Sequence, residues 1–181
     1  MDRESIENIF FHEEQSFAKA NRWIGIALFL LPLTMGYFVW EQMIQHRPIG
    51  TNPPPDAVLL LLFGVIGIFV PWLILSARLC VEVRDSGVWF RYHPFMFKWK
   101  CIGFEDIQSA QAVTYRPILE YGGWGIRIAW GKRAYNVSGN EGVLLTLRST
   151  TTTTLLGSQQ AHDLEAAITT AMKTTFHSKS K

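Results

Sequence analysis

The sequence predicts a hairpin of two membrane-spanning helices followed by an all-β domain that a C-terminal helix closes. Three observations predict this fold class. Two stretches of bilayer length, 23–40 and 57–77, contain no charged residue. After Arg78 the apolar residues alternate with a period of two, which is typical of β-strands. From Gln159 to about Phe176 the helical period returns.

The average composition hides a division into two chemically different parts. The 181 residues are 48% apolar and 18% charged, but 23–77 contain only three charged residues, Glu41, Arg47 and Asp56. The 104 residues from Arg78 onward hold 13 Lys and Arg against 8 Asp and Glu, a net charge of +5. This excess is small and dispersed, so nucleic acid is not an expected partner.

The two charge-free stretches have the length of membrane spans. At about 1.5 Å per residue they extend roughly 27 and 31 Å, which matches a hydrocarbon core of about 30 Å. Only 104 residues remain to cover two helices that are apolar on all sides, so burial in a soluble fold is disfavoured. Aromatic residues near the ends suit the headgroup zone: Trp23, Tyr37, Trp40 and Trp72. We therefore expect transmembrane helices over 23–40 and 57–77.

The distribution of Lys and Arg predicts the orientation. The connecting segment 41–56 contains one basic residue, whereas the N-terminal flank contains three and 78–100 contain five. Because basic residues are retained on the cytoplasmic side, both termini should be cytoplasmic and 41–56 should be an external, Pro-rich loop. The expected location is the cell (inner) membrane, with two passes.

Residues 1–22 predict a cytoplasmic juxtamembrane helix. Ile6, Ile9, Phe10 and Phe17 approximate one helical face. The segment has three basic and five acidic residues, so its net charge of −2 disfavours binding to anionic lipid and favours docking on the soluble domain.

Residues 78–176 predict one cytoplasmic domain of about seven antiparallel strands, a partly open barrel or sandwich. Turn signals occur at Asp85-Ser86-Gly87 and Gly131-Lys132. The candidate strands are 79–84, 88–93, 97–102, 109–115, 125–130, 133–138, 142–148 and 152–156. Ser158 can cap the final helix, whose apolar stripe is Leu164, Ala167, Ile168 and Ala171. Residues 177–181 are expected to be a disordered tail.

Four stretches of the chain resemble a known family. They are 115–127 (YRPILEYGGWGIR), 134–143 (AYNVSGNEGV), 156–159 (LGSQ) and the opening 11–17 (FHEEQSF). They resemble a bacterial family of uncharacterised membrane proteins with two N-terminal transmembrane helices and a pleckstrin-homology-like (PH-like) domain. The likeness extends over most of 8–170 and implies a fold and a membrane location. It implies no activity and no catalytic residues.

A polar cluster surrounds the glycine-rich stretch, which is the most specific part of this resemblance, and is gathered around two successive predicted turns. Its members are Glu120, Arg127, Tyr135, Asn136 and Asn140. They form either a hydrogen-bonded knot that fixes irregular hairpins or a recognition surface for a peptide or protein. The glycine-rich stretch Gly122-Gly123-Trp124-Gly125 lacks the G-x-G-x-x-G spacing and leads into a strand, which disfavours a nucleotide site.

Basic residues lie close behind the second hydrophobic stretch. The candidates for contact with anionic lipid headgroups are Arg78, Arg84, Lys98 and Lys100, with Arg91 between them. Each such contact is worth about 1 kcal/mol near a membrane surface. The alternative is that these residues only determine the orientation of the spans.

No catalytic or cofactor-binding constellation is visible. The two cysteines are 21 residues apart without a C-x-x-C motif, and the five histidines are scattered. We therefore expect no enzyme activity, no metal and no cofactor. The sequence predicts a membrane-anchored PH-like binding or scaffolding module of unknown ligand, with a protein partner or self-association. The alternative is an accessory subunit of a larger transport or envelope complex, in which the spans make the essential contacts.

Overall fold

The chain is divided into two compact units in a computed structural model that describes residues 8–129 and 131–179. The helical unit is Phe17–Ala77. The β-unit consists of the described residues before it, up to Ser16, and those after it, from Arg78. Residues at the two ends of the β-unit are thus far apart in sequence but belong to one compact body.

Two long hydrophobic helices make up most of the helical unit, after a short helix α1 (Phe17–Ala20). The first, Arg22–Ile44, consists of α2 (Arg22–Val39) and a π-helical segment, Trp40–Ile44. The second, Asp56–Leu75, consists of α3 (Asp56–Leu62), a π-helical segment (Phe63–Phe69) and α4 (Val70–Leu75). Both helices are long and apolar enough to cross a membrane.

Proline and glycine shape these two helices. Pro71 has no N–H for the carbonyl of Gly67, four residues earlier, and its ring crowds that carbonyl, so the helix widens into the π-helical segment just before it. Gly67 also permits close packing, because a Cβ placed there would lie 3.3 Å from Met35 Cβ on the first helix. A Cβ on Gly36 would meet the Phe63 ring at 3.7 Å.

The β-unit is built from nine strands in two sheets, among the described residues. The first sheet has the order β1 (Ile9–Ser16), β2 (Arg78–Arg84), β3 (Gly87–His93) and β4 (Lys100–Gly103), all antiparallel. The strands of the second are β5 (Ile107–Thr114), β6 (Gly125–Ala129), β7 (Lys132–Asn136), β8 (Glu141–Leu147) and β9 (Thr153–Gly157), in the order β5-β8-β9-β7-β6. A short helix α5 (Pro117–Tyr121) connects β5 to β6, and α6 (Ala161–Lys179) ends the described chain.

The core of the β-unit lies between the sheets and α6. Alternate residues of β2, such as Leu79, Val81 and Val83, are fully buried, as the period of two predicts. From α6, Leu164 and Ile168 are fully buried against both sheets. At the β2–β3 turn, Gly87 is required because a Cβ there would collide with the backbone carbonyl of Ile102 on β4.

Most of the predicted elements after Arg78 are confirmed. All eight candidate strands exist, and the final helix forms with Leu164, Ile168 and Ala171 on its buried side. The strand predicted at 97–102 begins only at Lys100, because 97–98 lie in a bend. The helix continues to Lys179, so the disordered tail expected from residue 177 is wrong for 177–179, while 180 and 181 lie outside the described residues.

The helix predicted over 1–22 is wrong for most of the part that the structure describes. Ile9–Ser16 form β1, and only Phe17–Ala20 are helical before the first long helix begins at Arg22. The inward-facing residues of β1 near its end are Glu13 and Gln15, which are buried although they are polar. Because polar residues occupy the inner face, the alternation that normally identifies a strand is hidden. The boundary predicted at residue 78 is also wrong, since β1 belongs to the β-unit.

The sheet arrangement differs in part from the predicted antiparallel barrel or sandwich. Within the described residues the strands form two sheets and not a closed barrel. In the second sheet, β7 and β9 pair in parallel, with Ala134 opposite Leu155. Strand β9 lies between β8, with which it pairs in antiparallel fashion, and β7, with which it pairs in parallel.

Candidate binding surface

The chain leaves the β-unit and returns to it at adjacent residues. Ser16, the last residue of β1, is paired with Arg78, the first residue of β2. In the helical unit, the Phe17 N–H donates a hydrogen bond to the Ala77 carbonyl at 2.9 Å. The whole helical unit is therefore inserted between two neighbouring strands, in the position that a hairpin loop would occupy.

Glu13 connects β1 to the start of the last helix. Its carboxylate accepts hydrogen bonds from the Ser158 hydroxyl at 2.6 Å and from the Gln159 N–H at 2.8 Å. Ser158 in turn accepts the Gln160 N–H at 2.9 Å, and Gln15 donates from Nε2 to the Gly157 carbonyl at 2.8 Å. These bonds satisfy backbone groups at the N-terminal end of α6, and a carboxylate there is favourable to the helix dipole.

A buried hydrogen-bonded knot holds the chain around the glycine-rich stretch. Asn136 is fully buried; its Oδ1 accepts the Gly125 N–H at 2.9 Å and its Nδ2 donates to the Tyr115 hydroxyl at 3.0 Å. The Trp124 indole N–H donates to the Gly139 carbonyl at 2.9 Å. This arrangement serves to fix the β5–β6 and β7–β8 connections.

Buried tyrosines surround this knot. The hydroxyl of Tyr92, on β3 of the other sheet, donates to the Asn136 carbonyl at 3.3 Å. Burial raises the pKa of Tyr92 to about 12, and the positive charge of Arg127 opposes this shift. Burial also raises the pKa of Tyr115, although its hydrogen bond with Asn136 opposes the shift. Both phenols are therefore neutral at physiological pH and act as hydrogen-bonding groups.

Two members of the predicted polar cluster are thus internal. Asn136 forms the knot, and Tyr135 is only 4% exposed, with its ring centroid 4.7 Å from that of Phe90. Lys100 Nζ lies 5.9 Å from the centroid of the Tyr135 ring. The side chains of Tyr135 and Asn136 are both buried.

The other three members lie at the surface. Glu120 Oε1 accepts the Arg116 N–H at 2.8 Å at the start of α5, and the Asn140 carbonyl accepts the Tyr115 N–H at 2.8 Å. The Arg127 side chain is exposed and folds back over Gly123, since a Cβ there would lie 3.2 Å from Arg127 Nη2. The structure therefore divides the cluster into an internal pair and an exposed trio.

The elements α5 and β6, which carry Glu120 and Arg127, also carry exposed apolar side chains that the sequence analysis missed. Ile118 and Leu119 on α5 are 66% and 77% exposed, and Ile128 on β6 is 75% exposed. Strand β6 is an edge strand that pairs with β7 on one side only, within the described residues. We call α5 and β6 together the α5–β6 surface. An apolar residue on the outer face of a strand next to a turn is the signal that could have pointed to it.

The four basic candidates for lipid contact do not form one patch. Arg78 is paired with Glu14 at 3.0 Å at the beginning of β2, and Lys98 is exposed in the β3–β4 connection. Arg84 lies at the other end of β2, about 20 Å along the strand. Its guanidinium bonds Glu82 at 2.6 Å and lies over the Trp89 ring at 5.0 Å.

The His, Cys, Asp and Glu side chains of the described residues are dispersed. No three His, Cys, Asp or Glu side chains in 8–129 and 131–179 are close enough together to hold a metal ion. Cys80 is buried, and burial together with the nearby Glu14 raises the pKa of its thiol. Cys101 is exposed, and no disulfide joins the two.

One known protein family matches this chain over most of its length. The family DUF6141, described as a family of unknown function, matches residues 1–174. The chain belongs to the DUF6141 family. No curated protein and no solved structure matches it significantly.

Membership in DUF6141 agrees with the predicted likeness to an uncharacterised family. In this DUF6141 chain, the stretch 11–17 and the stretch 156–159 that suggested the likeness meet in space through Glu13, Gln15, Gly157 and Ser158. The match covers β1, both hydrophobic helices and almost all of the remaining β-unit, so the insertion of the helices between paired strands lies wholly within the family's extent.

Proposed function

We propose that the chain is a non-enzymatic, membrane-anchored binding or scaffolding module. Its two hydrophobic helices cross the cell (inner) membrane, and the β-unit is displayed at the cytoplasmic surface. The lengths of 23 and 20 residues support two crossings. Exposure supports them as well: Trp23 is 84% and Leu61 is 65% exposed in the helical unit. Lipid is the solvent in which such side chains are stable.

The pairing of Ser16 with Arg78 is the observation that carries this proposal. Strand β1 precedes the first hydrophobic helix, β2 follows the second, and the two strands pair from Ile9–Arg84 to Ser16–Arg78. Strands on opposite sides of a bilayer cannot share a ladder of hydrogen bonds, so the chain between them must cross an even number of times. Two crossings satisfy this requirement, and the excess of Lys and Arg outside 41–56 favours the cytoplasmic side.

We further propose that the β-unit is PH-like. Two sheets closed by one C-terminal helix support this assignment. Two features were not part of the seven-strand prediction. They are the insertion of the hairpin after β1 and the parallel pairing of β7 with β9. PH-like scaffolds host unrelated binding functions, so the ligand has to be argued from the surface itself.

The α5–β6 surface is the proposed binding site, with an extended protein segment as its ligand. An edge strand offers unpaired backbone groups to which such a segment can add as a further strand. Ile118, Leu119 and Ile128 supply exposed apolar contacts, and the exposed Arg127 supplies a positive charge for an acidic side chain. The segment belongs either to a second copy of this chain or to another protein.

Photo-crosslinking in cells tests the site. A photoreactive residue at Leu119 or Ile128 should give a protein adduct, and one at Gln111 should not. Gln111 is exposed on β5, the opposite edge of the same sheet, and is the matched control. An adduct of twice the chain's mass would identify self-association. Equal crosslinking at all three positions, or none at 119 and 128, would contradict the proposed surface.

A second candidate function is an accessory subunit whose hydrophobic helices make the essential contacts. It is favoured by Gly64, where an added Cβ would meet nothing within 4 Å, so this glycine leaves the outer side of the hairpin open to a neighbouring helix. Replacing 22–75 with an unrelated two-helix hairpin separates the two functions. The crosslinks at 119 and 128 persist under the first proposal, and under the second the native partner is lost.

Labelling in intact cells tests the orientation. A membrane-impermeant maleimide should react with Thr51→Cys in the connection 45–55 and not with Glu105→Cys in the β-unit. The native exposed Cys101 is first replaced by serine. Labelling of position 105 alone from outside would show the opposite orientation. Labelling of both positions without permeabilisation would contradict the membrane crossing.

A further inference from the structure

The β3–β4 connection carries an exposed aromatic loop. Between His93, the last residue of β3, and Lys100, the first of β4, the sequence is Pro94-Phe95-Met96-Phe97-Lys98-Trp99. Phe95 is 52% exposed and Phe97 is 86% exposed. Phe97 is the most exposed large hydrophobic side chain among the described residues of the β-unit. We call 94–99 the aromatic loop.

The loop is held in a defined conformation. The Met96 N–H donates to the Tyr92 carbonyl at 2.7 Å, and the rings of Tyr92 and Phe95 lie 6.0 Å apart. The Arg91 guanidinium lies 5.0 Å from the Trp99 ring centroid. The loop is thus fixed by its neighbours and still exposes two phenylalanines. Exposure of these rings to water is unfavourable in free energy, so we expect a partner to cover them.

The sheet register places this loop beside the points at which the hydrophobic helices are attached. Arg78 is paired with Ser16 on one side and with His93 on the other. These three residues therefore lie side by side at one end of the first sheet, about 5 Å apart from strand to strand. The aromatic loop follows His93 directly and extends from that same end.

The chain between the second hydrophobic helix and β2 is too short to separate this end of the sheet from a bilayer. Only Ser76 and Ala77 lie between Leu75 and Arg78, and three residue steps reach at most about 10 Å. One strand spacing adds about 5 Å. The interfacial layer on each side of the hydrocarbon core is about 5–8 Å thick. A loop that projects beyond His93 can span the remaining distance.

We propose that the aromatic loop inserts Phe95 and Phe97 into the cytoplasmic headgroup layer of the bilayer that the helices cross. This inference rests on the proposed membrane crossing and adds a third point of contact to the two helical attachments. Aromatic rings favour the interface, and the exposed Lys98, between Phe97 and Trp99 in the loop, suits anionic headgroups. The loop thereby fixes how the β-unit lies on the membrane surface.

Lipid quenching of a site-specific fluorophore tests the proposal in the full chain. In a Cys101→Ser background, single cysteines are introduced as Phe97→Cys, Glu105→Cys and Leu33→Cys and labelled with an environment-sensitive dye. Glu105 is an exposed residue in the turn after β4, whose last residue, Gly103, pairs with Gly87 at the opposite end of the sheet. Leu33 is an exposed residue of the first hydrophobic helix. The background itself should take up no label, because Cys80 is buried.

The purified variants are reconstituted into vesicles of phosphatidylcholine and phosphatidylglycerol with and without spin-labelled lipid. We expect quenching at positions 33 and 97, with a blue shift of emission, and none at 105. Quenching at 33 without quenching at 97 overturns the loop insertion and leaves the membrane crossing intact. No quenching at 33 overturns the crossing and the insertion together. A blue shift at 97 without lipid quenching identifies a protein contact, which also overturns the proposal.

A second variant guards against local misfolding. Phe95→Cys carries the probe to the other exposed ring of the loop, and it should be quenched by the same lipid at a lower level because Phe95 is less exposed than Phe97. Thermal unfolding of each variant in detergent, compared with the background, shows whether the fold is retained. A folded Phe95→Cys variant that behaves as position 105 does would contradict the insertion.

Discussion

The Glu13 carboxylate accepts a 2.6 Å hydrogen bond from the Ser158 hydroxyl, which lies 145 positions later in the chain. This contact joins the strand before the hydrophobic hairpin to the beginning of the last helix. It is largely buried, since Glu13 is 9% and Ser158 is 3% exposed. The β-unit therefore depends on a segment that precedes the two hydrophobic helices.

We predict that Glu13→Gln lowers the free energy of unfolding of the β-unit by about 1–3 kcal/mol, because hydrogen bonds to a buried charged acceptor are among the stronger ones. The measurement is thermal or denaturant unfolding of the full chain in detergent. Glu14→Gln is the matched control: Glu14 is an exposed neighbour paired with Arg78, and the loss of such a pair costs about 0–1 kcal/mol. Equal effects of the two substitutions would remove the special role of Glu13.

The insertion of the helical unit predicts how the chain can be made soluble. The Phe17 N–H donates to the Ala77 carbonyl, which is one of the two hydrogen bonds that join the residues flanking a two-residue hairpin turn. Replacing 18–76 with Asn-Gly, the sequence that favours such a turn, should therefore give a folded β-unit that needs no detergent. Circular dichroism, gel filtration and thermal unfolding measure the result.

The matched control is a chain that begins at Arg78 and lacks β1. It leaves β2 as an unpaired edge and removes the partners of Ser158 and Gln159. We expect this chain to aggregate or to unfold at a much lower temperature than the Asn-Gly variant. A stable domain from Arg78 onward would show that β1 is dispensable.

Gly67 and Gly64 differ in what a side chain would meet. At Gly67 a Cβ would lie 2.9 Å from the Phe63 ring and 3.3 Å from Met35 Cβ, whereas at Gly64 it would meet nothing within 4 Å. Gly67→Leu should destabilise the hairpin by about 1–3 kcal/mol through overpacking. Gly64→Leu should leave its stability nearly unchanged. Titration of both variants with a denaturing detergent, followed by circular dichroism, measures the difference, and a reversed order would contradict the packing.

Tyr92 predicts a loss of stability in alkaline solution. Its pKa is raised from 10.0 to about 12 by burial, so folding favours the neutral phenol. The stabilisation is complete below pH 10 and is lost as the pH rises from 10 towards 12, by an amount of about 1–3 kcal/mol. In Tyr92→Phe this alkaline loss should shrink, while Tyr121→Phe, at a half-buried position, should change it less. Denaturant unfolding between pH 8 and pH 11.5 makes the comparison, and identical profiles for wild type and Tyr92→Phe would contradict it.

Local sequence signals were sufficient to predict most of the strands of the β-unit. The two-residue turn at Asp85-Ser86 and the alternation of Leu79, Val81 and Val83 predict β2 and β3 without reference to distant parts of the chain. The lengths and compositions of the hydrophobic helices are equally local properties. The parallel pairing of β7 with β9 was not predictable in this way, because no turn joins those strands directly.

Strand β1 and the candidate site could not be predicted from local sequence patterns, because they depend on contacts between residues that are distant in the chain. Glu13 and Gln15 face inward only because 157–159 supply their hydrogen-bonding partners. Asn136 and Tyr135 were chosen from sequence for their polarity, but partners more than ten residues away, such as Tyr115 and Phe90, draw them inside. Ile128, by contrast, is apolar and exposed on an edge strand, which a preference for polar residues overlooks.

The position of β1 ahead of the hydrophobic helices also determines an order of events during synthesis. The ribosome releases β1 first, then both helices, and only afterwards β2, which is the neighbour that β1 requires. Until the chain has passed Arg84, β1 has no neighbouring strand, and until it has passed Gln159, Glu13 has no hydrogen-bonding partner at the start of α6. Under the proposed membrane crossing, completion of the β-unit therefore requires both ends of the hydrophobic segment to be in the same compartment, and we expect a chain in which only one helix is inserted not to finish folding.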